Sequence, residues 1–166
     1  MKRLCFAALI AALYVALTYF SMLLGLDKNA IQIRFSESLV VLAFITPAAI
    51  PGLTLGCFLA NLLTGCAPLD IVLGPIATLI GACGAYLIGK MKNRVAARWL
   101  CTLPNVLANA VIVTLVCYVC YTAPSAQMPE IIPYYALTVA AGEILSCSVI
   151  GSALILPCEK VLKRFL

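Results

Sequence analysis

Charged residues are scarce in this sequence, and histidine is absent. The chain of 166 residues has 11 Lys or Arg, 6 Asp or Glu and no His, while 64% of its residues are hydrophobic. Soluble domains carry about 25% charged residues. The composition therefore excludes a water-soluble globule, a disordered chain and a nucleic-acid-binding domain. The lack of His excludes histidine-based acid–base catalysis and ligation of haem by His.

The cysteines do not indicate disulfide or metal chemistry. Eight of the nine lie within or beside long apolar runs, and only Cys66 is near a predicted loop. Free Cys packs as a small hydrophobe, so we expect no disulfide scaffold. Cys117 and Cys120 form a CxxC inside an apolar run without a neighbouring His, Asp or Glu. That setting favours neither a redox site nor a zinc site.

The sequence contains no convincing nucleotide-binding loop. Residues 84–90 fit the pattern G-x-x-x-x-G-K, but Met91 follows where Ser or Thr is needed, and the pattern ends an apolar run. Any ATP-driven step would therefore need another chain. The acids are scattered singly, which argues against a small membrane enzyme, and we expect no cofactor and no metal.

Apolar sequence is what the chain has in abundance. A helix that crosses a bilayer needs about 20 apolar residues. The apolar segments cover residues 4–26, 37–50, 52–66, 70–89, 99–122 and 134–158. We therefore predict an all-α membrane protein with six transmembrane helices, forming one integral membrane domain over residues 1–166. The first segment is too long for the core of a signal peptide, and no clear cleavage site follows it, so we expect it to be retained.

The second and third segments are short, and Pro47, Pro51 and Gly52 separate them. A single fused helix of about 30 residues would be about 45 Å long, which is too long for the bilayer. Two short tilted helices and one re-entrant hairpin both remain open. Irregular backbone at membrane depth must be buried in protein or line a cavity, so we expect this region to lie in the interior.

The positive charges predict the orientation of the chain. Nine of the eleven Lys and Arg lie in the N-terminus, in residues 90–98 and in the C-terminal tail, whereas only Lys28 and Arg34 fall on the other side. Positive residues favour the cytoplasmic side. Six passes would therefore place both termini in the cytoplasm.

Residues 29–36, on the predicted outer side, alternate in polarity. Ile31, Ile33 and Phe35 alternate with polar residues, a pattern that is typical of a half-buried strand. Such a strand could cap an outward-facing cavity, and an ordered connector is the equally weighted alternative.

Small residues recur at helical spacing in the first segment. Ala8, Ala12 and Ala16 form one series, and Ala7 with Ala11 forms a parallel one. Small residues let helices approach closely in lipid. The series predicts either packing inside the protein or docking onto another membrane protein. Gly52, Gly56 and Ala60 form a similar stripe in the third segment.

Acids within apolar segments are the strongest functional signal, because an ionisable group at mid-membrane costs about 2.5–3.5 kcal/mol or more. Glu143 lies near the middle of the sixth segment, Glu37 opens the second and Asp70 opens the fourth. Asp70 could equally be a helix N-cap. Buried amides add to these acids at Asn61, Asn105 and Asn109.

The middle of each segment lacks Lys and Arg, so a cavity here would suit a ligand that donates hydrogen bonds or carries positive charge. Carboxylate and amide pairs match a guanine-like edge, and outer-side aromatic rings could stack on a flat ligand or form an interfacial belt. The candidate ligand-binding residues are Glu37, Glu143, Asn61, Asp70, Asn109, Arg34, Phe35 and Tyr134.

Together these features resemble a known family. Six passes, cytoplasmic termini and an alanine-stacked first helix are similar to the substrate-binding S components of energy-coupling factor (ECF) transporters. The run IQIRFSESLVVLAFITPAAIPGLTLGCFLANLLTG (31–65), Asp70 at the start of the fourth segment and the pair Gly142–Glu143 resemble the QueT family, whose members are predicted transporters for queuosine precursors.

The resemblance implies a function and partners. An S component binds its ligand in an outward-facing pocket capped by the loop after the first helix, and it works with a transmembrane coupling protein (T component) and two ATPases in the bacterial plasma membrane. Its alanine face, here Ala8, Ala12 and Ala16, is the usual docking surface. The ligand would be a 7-deazaguanine, either the aminomethyl precursor or queuine. Another vitamin or purine-like heterocycle is the alternative ligand, and a channel is a weaker alternative function.

Overall fold

The helices follow the apolar segments closely. The computed structural model describes residues 2–26, 32–122 and 129–165. After α1 (Lys2–Leu23), a 3₁₀ helix (Phe35–Val40) continues directly into α2 (Val41–Ile45). The next helices are α3 (Ala49–Leu63), α4 (Pro68–Ile88), α5 (Arg94–Leu100) and α6 (Leu103–Val116), which continues as a π-helical turn (Cys117–Tyr121). A short 3₁₀ helix (Pro129–Ile131) leads into α7 (Ile132–Glu143), a π-helical segment (Ile144–Gly151, the π segment) and α8 (Ser152–Phe165).

The described residues form an all-α protein with the features of a multi-pass membrane protein. Four helical stretches are long and apolar enough to cross a bilayer: Arg3–Leu23, Pro68–Ile88, Arg94–Cys120 and Pro129–Lys160. Two shorter apolar helices, Phe35–Ile45 and Ala49–Leu63, match the short second and third segments. The fold class is thus confirmed, while the count of six spans and the orientation stay predictions. The nine cysteines are all free, as expected.

The strand predicted over residues 29–36 is wrong in its described part. Residues 32–34 have no regular structure, and Phe35 begins a 3₁₀ helix; residues 29–31 lie outside the described residues. The alternating polarity has another cause. Ser36 is buried and accepts a hydrogen bond from Thr18 Oγ1 at 2.9 Å. Polar residues of this segment thus bond inside the protein rather than facing water.

The second segment is the centre of the fold. Every residue from 36 to 44 is buried, and this stretch is surrounded by α1, α4, the π segment and α8. The predicted interior position is therefore correct for the second segment. It is wrong for the third, because α3 exposes one face that includes Leu55, Leu62 and Leu63. Apolar exposure of this kind is what a lipid-facing helix requires.

The opposite face of α3 packs tightly on α1. A Cβ added to Gly52 would lie 2.5 Å from the carbonyl oxygen of Ala7, and one added to Gly56 would lie 3.1 Å from Cα of Ala11. The glycines therefore allow the two backbones to touch, as small residues do between membrane helices. Ala7 and Ala11 serve this internal contact, whereas Ala8, Ala12 and Ala16 lie on the exposed side of α1.

Ion pairs lie at both ends of α4. At the first end, Arg34 pairs with Asp70. At the second, Arg94 donates to the carbonyl of Gly89 at 2.5 Å and pairs with Glu159, which also accepts from Arg98 at 2.8 Å. The helix of 21 residues separates these ends by about 31 Å. The basic residues 90–98 and the start of the C-terminal tail thus share one end of the molecule.

Candidate ligand-binding site

Two carboxylates from distant parts of the sequence meet in the interior. Glu37 lies on the central 3₁₀ helix and Glu143 ends α7. Asn105 of α6 joins them, because its Nδ2 lies 3.0 Å from Oε2 of Glu37 and 3.0 Å from Oε2 of Glu143. We call these two acids the carboxylate pair. One amide group thus donates to both acids, which fixes the distance between them.

Two further side chains complete this cluster. The hydroxyl of Tyr14, fully buried on α1, donates a hydrogen bond to Oε1 of Glu37. The thiol of Cys147, on the π segment, lies 3.2 Å from the carbonyl oxygen of Glu37 and 3.3 Å from Oε2 of Glu143. The cluster therefore draws on α1, the 3₁₀ helix, α6, α7 and the π segment.

The cluster is not built like a metal centre. One ligand atom each from Glu37, Glu143 and Cys147 lies within 4.8 Å of the others, which is a spacing that a metal ion could bridge. However, Asn105 Nδ2 lies 3.0, 3.0 and 3.2 Å from these side chains. A hydrogen-bond donor therefore occupies the position that a cation would need, and we do not interpret the cluster as a metal site.

A second polar group lies at the end of the bundle where residues 32–34 run. Arg34 donates to Oδ1 of Asn61 at 3.2 Å, and its guanidinium lies 3.6 Å from Oδ2 of Asp70. Burial alone would lower the pKa of Arg34, but the negative charge of Asp70, with smaller contributions from Tyr14, Cys66 and Cys57, leaves the pKa raised. Asp70 is not the N-cap of α4, because Ala67 holds that position. Its carboxylate instead balances the charge of Arg34.

A cavity connects the two polar groups. It has an empty volume of about 380 Å³ including its open mouth. Four of the predicted residues line it, namely Arg34, Glu37, Asn109 and Glu143. Asn109 is buried close to Glu143, and its Nδ2 makes no hydrogen bond of good geometry among the described residues. An amide donor without a partner beside a cavity is a position that a polar ligand could satisfy.

The other predicted residues lie elsewhere. Asn61 and Asp70 hold Arg34 rather than lining the cavity. Phe35 packs on Phe20, with 5.8 Å between ring centroids. Tyr134 is exposed and packs beside Tyr135, also at 5.8 Å. The structure does not bring either aromatic ring to the cavity, so their role in stacking on a ligand stays a prediction.

Several residues of the site are not among the candidates that the sequence indicates. Tyr14, Cys57, Thr78 and Cys147 contact the carboxylate pair or line the cavity, and for Asn105 the sequence predicts only a buried amide. Tyr14 had a usable signal, since it follows Ala7 and Ala11 along the same face of α1. Residues three and four apart share a helix face, so Tyr14 belongs with the series that packs inward.

Residues 32–34 line the cavity and contact α7. A Cβ added to Gly142 would collide with the carbonyl group of Gln32 and would lie 2.9 Å from its carbon atom. Gln32 and Arg34 both line the cavity. Gly142, which precedes Glu143, thus permits the chain after α1 to lie directly on α7 beside the cavity.

Comparison with known proteins gives the family. The chain is 37% identical over 87 residues to a protein named queuosine precursor transporter QueT from Lactococcus lactis subsp. cremoris (strain MG1363). This match spans about half of each protein, 52% of the chain and 51% of its relative. No solved structure matches the chain. The model of the QueT transporter family matches residues 4–160. Its members are transporters rather than enzymes, and the chain belongs to the QueT transporter family.

Proposed function

We propose that the chain is the substrate-binding S component of an ECF importer in the bacterial plasma membrane. It captures a queuosine precursor of the 7-deazaguanine type, such as the aminomethyl precursor or queuine, from outside the cell. The family and the name of the Lactococcus relative support a queuosine precursor as the ligand. The carboxylate pair at the cavity is the observation that carries the proposal.

The chemistry of the cavity suits this ligand class. A 7-deazaguanine presents a ring N–H and an exocyclic amine along one edge, and both queuosine precursors add an amine that is cationic at neutral pH. The cavity offers the acceptors of Glu37 and Glu143, and the unpartnered Nδ2 of Asn109 can donate to the ligand's carbonyl oxygen. Buried polar groups need partners, and this ligand would supply them.

The mouth of the cavity suggests how the ligand enters. Residues 32–34 follow α1 and contact Gly142 across the mouth. In this conformation the cavity has room for water-sized molecules only. A ligand as large as a 7-deazaguanine therefore enters while residues 32–34 are displaced, and these residues close over it afterwards.

The exposed face of α1 suggests the partner. Ala8, Ala12 and Ala16 are exposed, and their small side chains allow another helix to approach closely. Because the chain lacks a nucleotide-binding loop, uptake needs a T component and two ATPase subunits. We propose that the T component docks on this face. With the basic residues 90–98 in the cytoplasm, both termini are cytoplasmic and the mouth of the cavity faces outwards.

The ligand is tested with purified full-length protein in detergent. We expect 7-deazaguanines with an aminomethyl group to raise the unfolding temperature, whereas guanine and common vitamins do not. Stabilisation by a different heterocycle alone would favour the alternative ligand class. No stabilisation by any 7-deazaguanine would overturn the proposed ligand.

Two variants test the site. Glu143→Gln is expected to weaken binding at least tenfold while the protein stays folded, because the amide keeps the shape and loses the negative charge. Glu130→Gln is the matched control, since Glu130 is exposed and lies away from the cavity. Equal affinity of Glu143→Gln and the control would remove Glu143 from the site.

A further inference from the structure

The carboxylate pair has more acceptors than donors around it. Asn105 Nδ2 has two hydrogens, yet it lies within 3.2 Å of Glu37, Glu143 and Cys147. Tyr14 supplies one more hydrogen to Glu37, and the thiol of Cys147 is a weak donor to Glu143. Two ionised carboxylates that share one neutral amide donor repel each other strongly in a medium of low dielectric constant. Two carboxylates in one buried site ionise together only at a large cost, so the pair favours keeping one proton.

The charges near the pair do not balance two ionised acids. In addition to the pair, the described titratable and charged groups that face it or the adjoining cavity are Tyr14 on α1, Arg34 before the 3₁₀ helix, Cys57 on α3 and Cys147 on the π segment. Helix α4 adds Asp70, which pairs with Arg34. α6 adds only the neutral amides Asn105 and Asn109. With Arg34 and Asp70 cancelling, two ionised acids would leave a buried charge of about −2, which is costly.

We propose that the empty carboxylate pair holds one shared proton and exchanges it for the ligand's ammonium group, so that the site selects amine-bearing 7-deazaguanines. This inference rests on the proposed function. The proton leaves to the outer solution as the ammonium group enters, and no covalent bond to carbon changes. The buried charge is −1 before the exchange and −1 after it, so the ligand's charge is accommodated without adding net charge to the interior.

This assignment also orients the ligand. The ammonium group reaches the carboxylate pair, whose two side chains line the cavity. The ring carbonyl oxygen then lies nearer Asn109 and Arg34, both of which line the cavity. Arg34 and the Nδ2 of Asn109 are donors that suit a ring carbonyl oxygen. A ligand of equal shape but without positive charge would leave the shared proton in place and gain less from the pair.

The test compares two ligands of nearly equal shape, 7-aminomethyl-7-deazaguanine and its 7-hydroxymethyl analogue, with the full chain in lipid nanodiscs. Isothermal titration calorimetry is run across pH, and in two buffers that differ in ionisation enthalpy. For the amine, we expect binding to release about one proton. The Kd should then fall about tenfold for each unit by which the pH is raised, over the range in which the ligand-free pair is protonated. For the hydroxymethyl analogue, we expect weaker binding without proton release.

Variants separate the pair from other titrating groups. Glu143→Gln leaves one carboxylate and no shared proton, so the dependence of the Kd on pH is expected to disappear. Glu130→Gln, at an exposed acid, is expected to keep it. Binding of both ligands with equal Kd, or of the amine without proton release, would overturn the shared proton and leave the proposed function standing. If neither ligand binds, the proposed function fails as well.

Discussion

The side chain of Asn105 lies directly against the backbone of Gly81. A Cβ at position 81 would collide with Oδ1 of Asn105 and would lie 2.7 Å from its Cα. Gly81 belongs to α4 and Asn105 to α6, so this glycine allows the two helices to touch at the level of the carboxylate pair. The position of the amide between Glu37 and Glu143 therefore depends on a residue without a side chain.

Gly81→Ala is expected to destabilise the protein by about 1–3 kcal/mol, because an added methyl group must push α6 away. Movement of Asn105 should also weaken ligand binding. Thermal unfolding and ligand titration in detergent measure the two effects. Ile80→Ala is the control, since Ile80 is a neighbouring residue that is half exposed. A Gly81→Ala protein as stable as the wild type would show that α4 and α6 are not in close contact here.

The two alanine series of α1 should respond differently to enlargement. Leu at positions 8, 12 and 16 adds bulk to an exposed face, so we expect ligand binding to be retained and uptake with the T component and ATPases to be lost. Leu at positions 7 and 11 would force α1 from Gly52 and Gly56, which should destabilise the protein itself by about 1–3 kcal/mol per substitution.

Ala153→Leu is the control for the exposed series, because Ala153 is exposed on α8. It should affect neither uptake nor binding. Measurements of uptake in vesicles and of ligand binding by the purified chain separate the two roles. Full uptake by the triple variant at positions 8, 12 and 16 would argue against docking on this face.

Gly142→Ala should hold the mouth of the cavity open. The new methyl group would occupy the position of the Gln32 carbonyl, so residues 32–34 could no longer lie on α7. We expect faster release of ligand and at least tenfold weaker binding, with a smaller change in unfolding temperature because the helices still pack. Leu137→Ala, at an exposed position of the same helix, is the comparison. Unchanged release kinetics in Gly142→Ala would contradict closure at this contact.

The ion pair between Arg34 and Asp70 should matter most when only one partner is removed. Arg34→Gln leaves Asp70 buried without its positive partner, and its Oδ1 already has no hydrogen bond among the described residues. Loss of one partner of a buried pair costs about 3–5 kcal/mol. The double variant Arg34→Gln with Asp70→Asn should recover part of this stability. Additive losses in a double-mutant cycle would show that the two residues act independently.

The acids of the site could be predicted from the sequence, but their partners could not. Glu37 and Glu143 are conspicuous because an acid in an apolar segment is costly to insert. Asn105 lies 68 residues from Glu37, and no local pattern indicates which buried amide will join two acids. Tyr14 shares the inward face of α1 with Ala7 and Ala11, which indicates burial, but nothing in the sequence indicates that its hydroxyl group bonds to Glu37.

The fold was predictable at the level of its helices. The apolar segments predict nearly every helix. The strand predicted near Phe35 and the interior position predicted for α3 are wrong. In both cases the pattern of polar and apolar residues is present, but the surroundings of these residues differ from those that the pattern predicts. The polar residues near Ser36 bond to other buried groups, and the apolar residues of α3 divide between α1 and the outer surface.

The hydrogen bonds of Glu37 also bear on when the site can form during synthesis. They reach Tyr14, Asn105 and Cys147, which are 23, 68 and 110 residues away in sequence. No part of the chain shorter than about two-thirds of its length can therefore assemble the carboxylate pair. A ligand that binds only the folded chain stabilises it by about 2.7 kcal/mol at a concentration 100 times its Kd. The ligand would act at this site as the last component of folding, stabilising a cluster whose side chains come from α1 through to the π segment.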